Sequence, residues 1–314
     1  MLEQVNHDKV GVRCRALAGN KEAGLFIDVH GHAYRDPYPG RDGEPVFCSP
    51  EQLLARYDEL GVEKGALLPI VSPEVYLPQS NEEILRIARE YPDRFIPYCN
   101  IDPRAVTNSS DAPLGYLIEH YKNAGCKGIG EVMPNLAFND PLVWNLFRHA
   151  QAAGLPLTFD ISTRIGGTYG LYDEPGLPLL EASLEAFPDL VVVCHGPAFW
   201  AEITELRSCD DRAGYPSYPV VGEGTVQRLL RSYPNMRCDL SAFSGYNALV
   251  RDPDYAVVFL NEFADRLLFG LDICAHDDPA PLVGFLTDMR MAGKLDEQVF
   301  DAIARKNAVE LLGL

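Results

Sequence analysis

The feature that most constrains the fold of this 314-residue chain is a repeated alternation of apolar, strand-like segments with amphipathic, helix-like segments. The alternation occurs eight times at a mean spacing of about 34 residues, close to the roughly 31 residues per unit of an eight-fold α/β barrel. Near-continuous apolar strands that alternate with helices are typical of a parallel sheet covered by helices. The apolar segments begin near residues 26, 64, 95, 126, 155, 190, 236 and 267.

Eight such units are enough to close a parallel sheet into a cylinder. An open, doubly wound sheet is the competing architecture, but no Gly-x-Gly-x-x-Gly turn follows the first strand. We therefore predict an α/β protein with a (β/α)8 TIM barrel, a single domain over residues 25–314 with long βα loops, preceded by an N-terminal extension at residues 1–24. The long loops 163–176 and 198–221 are lid candidates, because loops of this length in a compact domain often have a function.

Local helix signals support this division. Ser49 is a suitable helix cap, Pro50 suits the first helical position, and Glu51 lies near the positive end of the helix dipole. Gly61 is expected to end this helix. Asn81 is expected to cap the next one. Further helices are predicted at 79–91, 114–124, 141–153, 177–187, 222–232, 254–263, 279–291 and 296–312.

Composition excludes several classes of partner. The formal charge of −18 argues against nucleic acid and anionic membranes, since both require a basic face. No apolar run reaches the roughly 18 residues of a membrane span, and the first residues carry no apolar block typical of a secretory signal. Eight cysteines without a Cys-x-x-Cys pair indicate reduced core residues. We expect a cytoplasmic protein with a small-molecule substrate, and a homodimer is possible.

Two histidines end the first predicted strand, Phe26-Ile27-Asp28-Val29-His30-Gly31-His32. Side chains at positions i and i+2 of a strand point the same way, so His30 and His32 are expected to project together from its carboxyl end. Two converging imidazoles are half of a transition-metal site.

Other strands also end in polar residues. In a (β/α)8 barrel the catalytic groups lie at the carboxyl ends of the strands, so these side chains are expected to meet. Three histidines and three carboxylates in one place favour a divalent metal site. The six candidates are His30, His32, Glu131, Asp160, His195 and Asp272.

The chain resembles the amidohydrolase superfamily, and within it the amidohydrolase-2 group that includes the aminocarboxymuconate-semialdehyde decarboxylase-like enzymes. The resemblance extends over about residues 25–312. It rests on the motifs FIDVHGH, GIGE, VVVCHGP, LLFGLDIC and ARKNAVELLGL.

The resemblance implies that His30, His32 and Asp272 bind a divalent metal, with zinc expected first. It also implies that His195 acts beside the metal-bound water or the substrate. The sequence departs from the family where Asp160 stands in place of a histidine. Asp160 can still be a ligand and would give a harder site that also accepts manganese or iron. Glu131 can complete the ligand set instead, and the sequence leaves these alternatives open.

The activity expected first is hydrolysis of an amide, ester or lactone of a small organic acid by a metal-activated water. Asp272 would orient the water and accept its proton, and His195 would protonate the leaving group. The alternative is a non-oxidative decarboxylase (carboxy-lyase) at the same site, which needs a cation for the substrate carboxylate. Arg35 and Arg164 are the candidates for that cation. A catalytically degenerate barrel that binds a small acid is the alternative from another class.

Overall fold

The computed structural model describes residues 25–39, 43, 45–75, 77 and 79–314. The predicted N-terminal extension, residues 1–24, lies outside the described residues, so the domain boundary stays a prediction. Within the described ranges the strands are β1 Phe26–Gly31, β2 Val62–Leu67, β3 Phe95–Pro97, β4 Ile129–Val132, β5 Leu157–Phe159, β6 Ile161–Ser162, β7 Leu171–Tyr172, β8 Val192–Cys194, β9 Met236–Asp239 and β10 Leu267–Leu268.

Eight of these strands form a closed parallel barrel. Strands β1, β2 and β3 pair in that order, and β4, β5, β8, β9 and β10 pair in a second run. Parallel bridges join the two runs at both edges, Cys99 with Ile129 and Gly31 with Ile273. The strands therefore follow one another around the cylinder in chain order, and the predicted (β/α)8 barrel is confirmed.

The short strands β6 and β7 form a separate parallel pair in the loop after β5. The single strand predicted from residue 155 to 162 therefore divides at Asp160, between β5 and β6. Leu171 in β7 donates its backbone N–H to the Asp160 carbonyl at 2.8 Å. The pair therefore holds part of the 163–176 loop against the carboxyl end of the barrel.

Helices cover the outside of the cylinder. The predicted cap of the first helix is confirmed, because the Ser49 side chain accepts from the Gln52 N–H. The predicted cap Asn81 is wrong: Ser80 is the cap, and Asn81 instead binds the backbone of Asn100. The helices are α1 Pro50–Leu60, α2 Asn81–Glu90, α3 Gly115–Asn123, α4 Pro141–Ala153, α5 Pro178–Ala186, α6 Pro197–Trp200, α7 Thr225–Ser232, α8 Ala242–Val250, α9 Pro253–Glu262, α10 Pro281–Met291, α11 Glu297–Asp301 and α12 Asn307–Leu312.

Two helical features differ from the prediction. Helix α8 was not predicted and begins three residues after β9 ends. The helix predicted at 296–312 is divided into α11 and α12 by a π-helical segment, Ala302–Lys306. None of the helices in the described ranges is long and apolar enough to cross a bilayer.

The core has an inner and an outer part. The outer and larger cluster lies between the barrel and its helices. Residues from β1, β2, β3, β8 and β10, or directly after them, pack together with α12 in the inner cluster, which contains Ile27, Val29, Ala66, Leu68, Ile96, Tyr98, Val193, Leu268, Ala308 and Leu312. All seven described cysteines are free, and Cys14 lies outside the described residues.

Candidate metal centre

The two histidines of β1 converge as their spacing predicts. Both are buried, and their Nε2 atoms lie 3.2 Å apart. The Nδ1 atom of each ring faces an acceptor: His30 Nδ1 lies 2.7 Å from a carboxylate oxygen of Asp239, and His32 Nδ1 lies 2.9 Å from the carbonyl oxygen of Leu68. The outer nitrogen of each ring is therefore fixed, and the inner nitrogens point to a common centre.

Two carboxylates face the same centre. Asp272 Oδ1 lies 3.6 Å from His30 Nε2 and 3.3 Å from His32 Nε2. Glu131 Oε2 lies 3.5 Å and 3.7 Å from the same two nitrogens. The backbone of Asp272 is left-handed, with φ of 54°, a conformation that is strained for a residue other than glycine. Its N–H donates to the His30 carbonyl at 2.8 Å, which ties the two candidate ligands together.

His195 lies beside His30, with 4.4 Å between the two ring centroids. Its Nε2 is 3.9 Å from Glu131 Oε1 and 3.9 Å from Asp272 Oδ2. Its Nδ1 lies 3.0 Å from the Ser241 hydroxyl and 3.1 Å from Asp239 Oδ2. The ring is thus held at one nitrogen while the other faces the centre.

Asp160 is buried beside the cluster but forms no ion pair with the three histidines of the described site. One of its oxygens accepts from the Ile161 N–H at 2.5 Å. Burial, with the charge of Glu131, raises the pKa of Asp160 to about 7. Gly196 makes room for it, because a Cβ there would lie 2.4 Å from Asp160 Oδ1 and the φ of Gly196 is +101°.

The donor set fits a divalent cation. A carbonyl oxygen can only accept, so His32 carries its proton on Nδ1 and presents a lone pair at Nε2. The carboxylate of Asp239 favours the same tautomer for His30. When both Nε2 atoms are deprotonated, two nitrogen lone pairs and the oxygens of Glu131 and Asp272 converge on one centre. His30, His32 and Asp272 also satisfy the mutual distances of a three-ligand metal group. Imidazole and carboxylate ligands suit zinc, manganese or iron.

The electrostatics favour positive charge at this point. Burial by itself would lower the pKa of His30, but the carboxylates of Asp272, Asp239 and Glu131 raise it well above its usual value. The carboxylates thus stabilise a cation strongly enough to outweigh the desolvation of the ring.

The two predicted substrate-binding arginines are not brought to this cluster. Arg35 forms ion pairs with Glu51 of α1 and Glu90 of α2, on the outer helices. Arg164 is exposed in the loop after β6, where its guanidinium donates to the Gly167 carbonyl at 3.4 Å. A substrate role for Arg164 stays a prediction.

Two buried carboxylates of the site, Asp239 and Asp28, were missed in the sequence. Asp239 accepts hydrogen bonds from His30 and from Ser241, so it joins the metal-binding side to the acid–base side. Asp28 accepts from the N–H groups of His30 and Leu271 and from the Tyr57 hydroxyl at 2.7 Å. A polar residue at the carboxyl end of a strand is the signal that indicated the other site residues. Asp239 has this position in β9.

Replacing Asp239 with asparagine is expected to weaken metal binding by about 10–100-fold, because the carboxylate that orients a ligating imidazole supports its basicity. Competition with a chromophoric chelator measures this change. Asp265→Asn, which changes an exposed carboxyl next to β10, is the matched control and should leave metal affinity unchanged. Equal affinity in the two variants would show that Asp239 does not support the metal centre.

A parallel barrel that collects histidines and carboxylates at its strand ends is the arrangement of a metal-dependent barrel enzyme. The chain belongs to the amidohydrolase family, whose model matches residues 27–314. The family predicted from the sequence motifs is therefore confirmed. Among curated protein sequences, none matches this chain.

Solved structures with the same fold include decarboxylases and a hydrolase. One is 5-carboxyvanillate decarboxylase from Novosphingobium aromaticivorans, complexed with manganese and 4-hydroxy-3-methoxy-5-nitrobenzoic acid (16% identity, TM-score 0.60, 94% of this chain and 98% of that chain covered). A second is 5-carboxyvanillate decarboxylase from Sphingomonas paucimobilis (16%, 0.58, 92% and 99%). A third is a probable 2-pyrone-4,6-dicarboxylic acid hydrolase from Acinetobacter baumannii (15%, 0.56, 92% and 100%). At sequence identities of 15–16%, these comparisons show that the proteins share a fold and no more.

Proposed function

We propose that this protein is a metal-dependent, non-oxidative decarboxylase of a small hydroxylated aromatic or unsaturated carboxylic acid. The observation that carries the proposal is an aromatic wall beside the candidate metal ligands. The centroids of the Phe47 and His32 rings lie 5.5 Å apart. Phe47 also stacks on Tyr34, with 4.7 Å between the ring centroids and 15° between the two ring planes. Aromatic rings packed beside the candidate ligands give the site an apolar side, which suits a planar acid whose oxygens reach the cation.

The cofactor in this proposal is a divalent cation held by His30, His32 and Asp272, with Glu131 as the further carboxylate. Zinc is the metal expected first. The carboxylate-rich set also suits manganese, the metal in the Novosphingobium decarboxylase. When bound, the cation would withdraw electron density from the substrate oxygens. Asp160, which is buried directly after β5, is the alternative ligand.

His195 is the proposed proton donor. Burial and the charge of His30 lower its pKa, but Asp239 and Glu131 outweigh them and raise it to about 9. His195 gives its proton to the carbon that carries the carboxylate. The bond from this carbon to the carboxylate then breaks, its electron pair returns to the ring or the double bond, and carbon dioxide leaves.

Two of the three similar structures reported above are decarboxylases of an aromatic acid, which supports this proposal over hydrolysis. Hydrolysis of a lactone remains the second candidate. It is favoured by the Acinetobacter hydrolase and by the position of His195 between Glu131 and Asp272, which also suits proton transfer from water.

The two candidates differ in their products. We expect the metal-loaded protein to release ¹³CO₂ from a ¹³C-carboxyl-labelled hydroxybenzoate in a panel of such acids. In D₂O the vacated carbon should gain one deuterium. Lactones, esters and amides of the same size are assayed in parallel, with His120→Ala as a control for a histidine exposed on an outer helix. Hydrolysis of a lactone without carbon dioxide release from any acid would overturn the decarboxylase proposal.

A further inference from the structure

The residue that precedes helix α8, Ser241, lies beside His195 and Asp239. We propose that Ser241 is a positioning residue for His195: its hydroxyl accepts the Nδ1 proton of the ring, so that His195 exchanges protons with a substrate only at Nε2. This inference rests on the proposed function, because it takes His195 as the proton donor of the reaction.

The hydroxyl of Ser241 is not used to cap its helix. Ser241 occupies the cap position of α8, but its side chain makes no capping hydrogen bond. Ser49 and Ser80 occupy the same position in α1 and α2, and the hydroxyl of each accepts from a backbone N–H of its helix. Serine is favoured at this position because of that hydrogen bond. Ser241 is fully buried, and its hydroxyl is directed to two side chains of the site instead.

The hydrogen-bond directions around this hydroxyl follow from Asp239. Ser241 donates its N–H to Asp239 Oδ1 at 2.8 Å and its O–H to Asp239 Oδ2 at 2.7 Å. A hydroxyl has a single proton, so the same oxygen can only accept from His195 Nδ1, which lies 3.0 Å away. Asp239 Oδ2 lies 3.1 Å from that nitrogen and, as a carboxylate oxygen, is also an acceptor. Both neighbours of His195 Nδ1 therefore require that this nitrogen carry a proton.

The other ring nitrogen is left for the chemistry. His195 Nε2 lies 3.9 Å from Glu131 Oε1 and 3.9 Å from Asp272 Oδ2. With Nδ1 protonated, a charged ring presents an N–H at Nε2, and a neutral ring presents a lone pair there. When Nε2 gives its proton to the substrate carbon, the remaining proton stays on Nδ1 in its hydrogen bond to Ser241. Ser241 therefore determines which nitrogen of His195 transfers the proton.

The hydroxyl of Ser241 acts on one of the two imidazoles that meet at Asp239. His30 Nδ1 lies 2.7 Å from Asp239 Oδ2, the oxygen to which Ser241 donates. Among the described residues, the hydroxyl of Ser241 has hydrogen bonds to Asp239 and His195 and to none of the candidate metal ligands. Loss of the hydroxyl therefore removes a partner from His195 and leaves the Nδ1 contact of His30 in place.

The backbone around Ser241 sets the position of this hydroxyl. A Cβ on Gly270 would lie 2.3 Å from Asp239 Oδ1 and 2.8 Å from the Ser241 Cβ, so a residue without a side chain is needed there. The next residue after Ser241, Ala242, donates its N–H to the Leu271 carbonyl at 3.3 Å. The chain that follows β10 thus holds Ser241 close to Asp239 and His195.

The test measures how fast the Nδ1 protons of His195 and His30 exchange with water in the zinc-loaded full chain, labelled with ¹⁵N-histidine. In Ser241→Ala the loss of an acceptor is expected to accelerate exchange at His195 about tenfold, equivalent to about 1.4 kcal/mol. Exchange at His30 should stay within about twofold of the wild-type rate, because its acceptor on Asp239 remains. His195→Gln and His30→Gln assign the two resonances by their absence.

Ser244→Ala is the matched control. Ser244 is buried in α8, and its hydroxyl has no hydrogen-bond partner among the described residues. This control should keep both wild-type exchange rates. Ser241→Cys keeps a side chain of similar shape with a weaker S–H group, and it should accelerate exchange at His195 in the same direction. Zinc affinity, measured by competition with a chromophoric chelator, should equal that of the wild type in all three variants.

Two results would overturn the proposal, whether or not the wild type is a decarboxylase. Equal acceleration at both imidazoles would show that Ser241 only secures Asp239, and unchanged exchange at His195 would show that the hydroxyl does not hold the ring. If exchange accelerates at His195 alone but the wild type releases no carbon dioxide from any hydroxybenzoate, Ser241 keeps its positioning role and the decarboxylase proposal fails. Where carbon dioxide is released, Ser241→Ala should lower kcat about tenfold at unchanged KM, since it affects proton transfer and not substrate binding.

Discussion

Replacing His30 with alanine is expected to leave the protein folded but without its metal. His30 contributes the inner nitrogen that lies within 3.6 Å of three other candidate ligand groups, so its loss removes a ligand and uncovers the charge of Asp239. Loss of a residue that only orients a ligand weakens metal binding by about 10–100-fold. Loss of a ligand itself should weaken metal binding by more than about 100-fold. Metal analysis of the protein after gel filtration, together with turnover, measures both consequences.

The control for this variant is His120→Ala, because His120 is exposed on α3 and should leave metal content and turnover unchanged. A stability measurement separates metal loss from misfolding. Binding of a metal at about 1,000 times its Kd stabilises the folded state by about 4 kcal/mol. A chelator should therefore lower the urea midpoint of the wild type but not that of His30→Ala. A His30→Ala protein that keeps stoichiometric metal would contradict the assignment of the centre.

Much of the fold was predictable because each apolar strand is bounded by turn residues and followed by a helix pattern. The convergence of His30 and His32 was predictable as well, since it follows from the two-residue period of a strand. The strand around Asp160 was predicted as continuous, because the apolar alternation in Leu155–Ser162 gives no sign of a break. The break depends on the long-range contact between Leu171 and the Asp160 carbonyl.

The remaining differences also come from long-range contacts. Arg35 closely follows His30 and His32 in the sequence, and this proximity predicted that Arg35 would lie at the candidate site. Its pairing with Glu51 and Glu90 depends on how α1 and α2 pack, which local sequence does not reveal. Asp239 is different, because its position at the carboxyl end of β9 is a signal that the sequence itself contains. The convergence of the candidate ligands was thus predictable, and most of their supporting contacts were not.

A buried ion pair within the 198–221 loop also binds the backbone of the 163–176 loop. Arg212, in the 198–221 loop, lies 2.8 Å from Glu202, and both side chains are at most 2% exposed. Arg212 also donates to the Asp173 carbonyl of the 163–176 loop at 2.9 Å. Glu202 in turn accepts from the Gly176 N–H at 2.9 Å. The ion pair lies within the 198–221 loop, and these two hydrogen bonds connect it to the 163–176 loop.

Replacing Arg212 with alanine is expected to lower the free energy of unfolding by about 3–5 kcal/mol, because it leaves Glu202 buried without its partner. Arg228→Ala breaks a surface pair with Glu181 and should cost less than about 1 kcal/mol, so it is the matched control. Urea unfolding at a fixed metal concentration, followed by tryptophan fluorescence, measures both. In the double variant Arg212→Ala with Glu202→Ala the loss should be smaller than the sum of the single losses, since no buried charge remains. If Arg212→Ala costs no more than Arg228→Ala, the ion pair does not stabilise the junction between the loops.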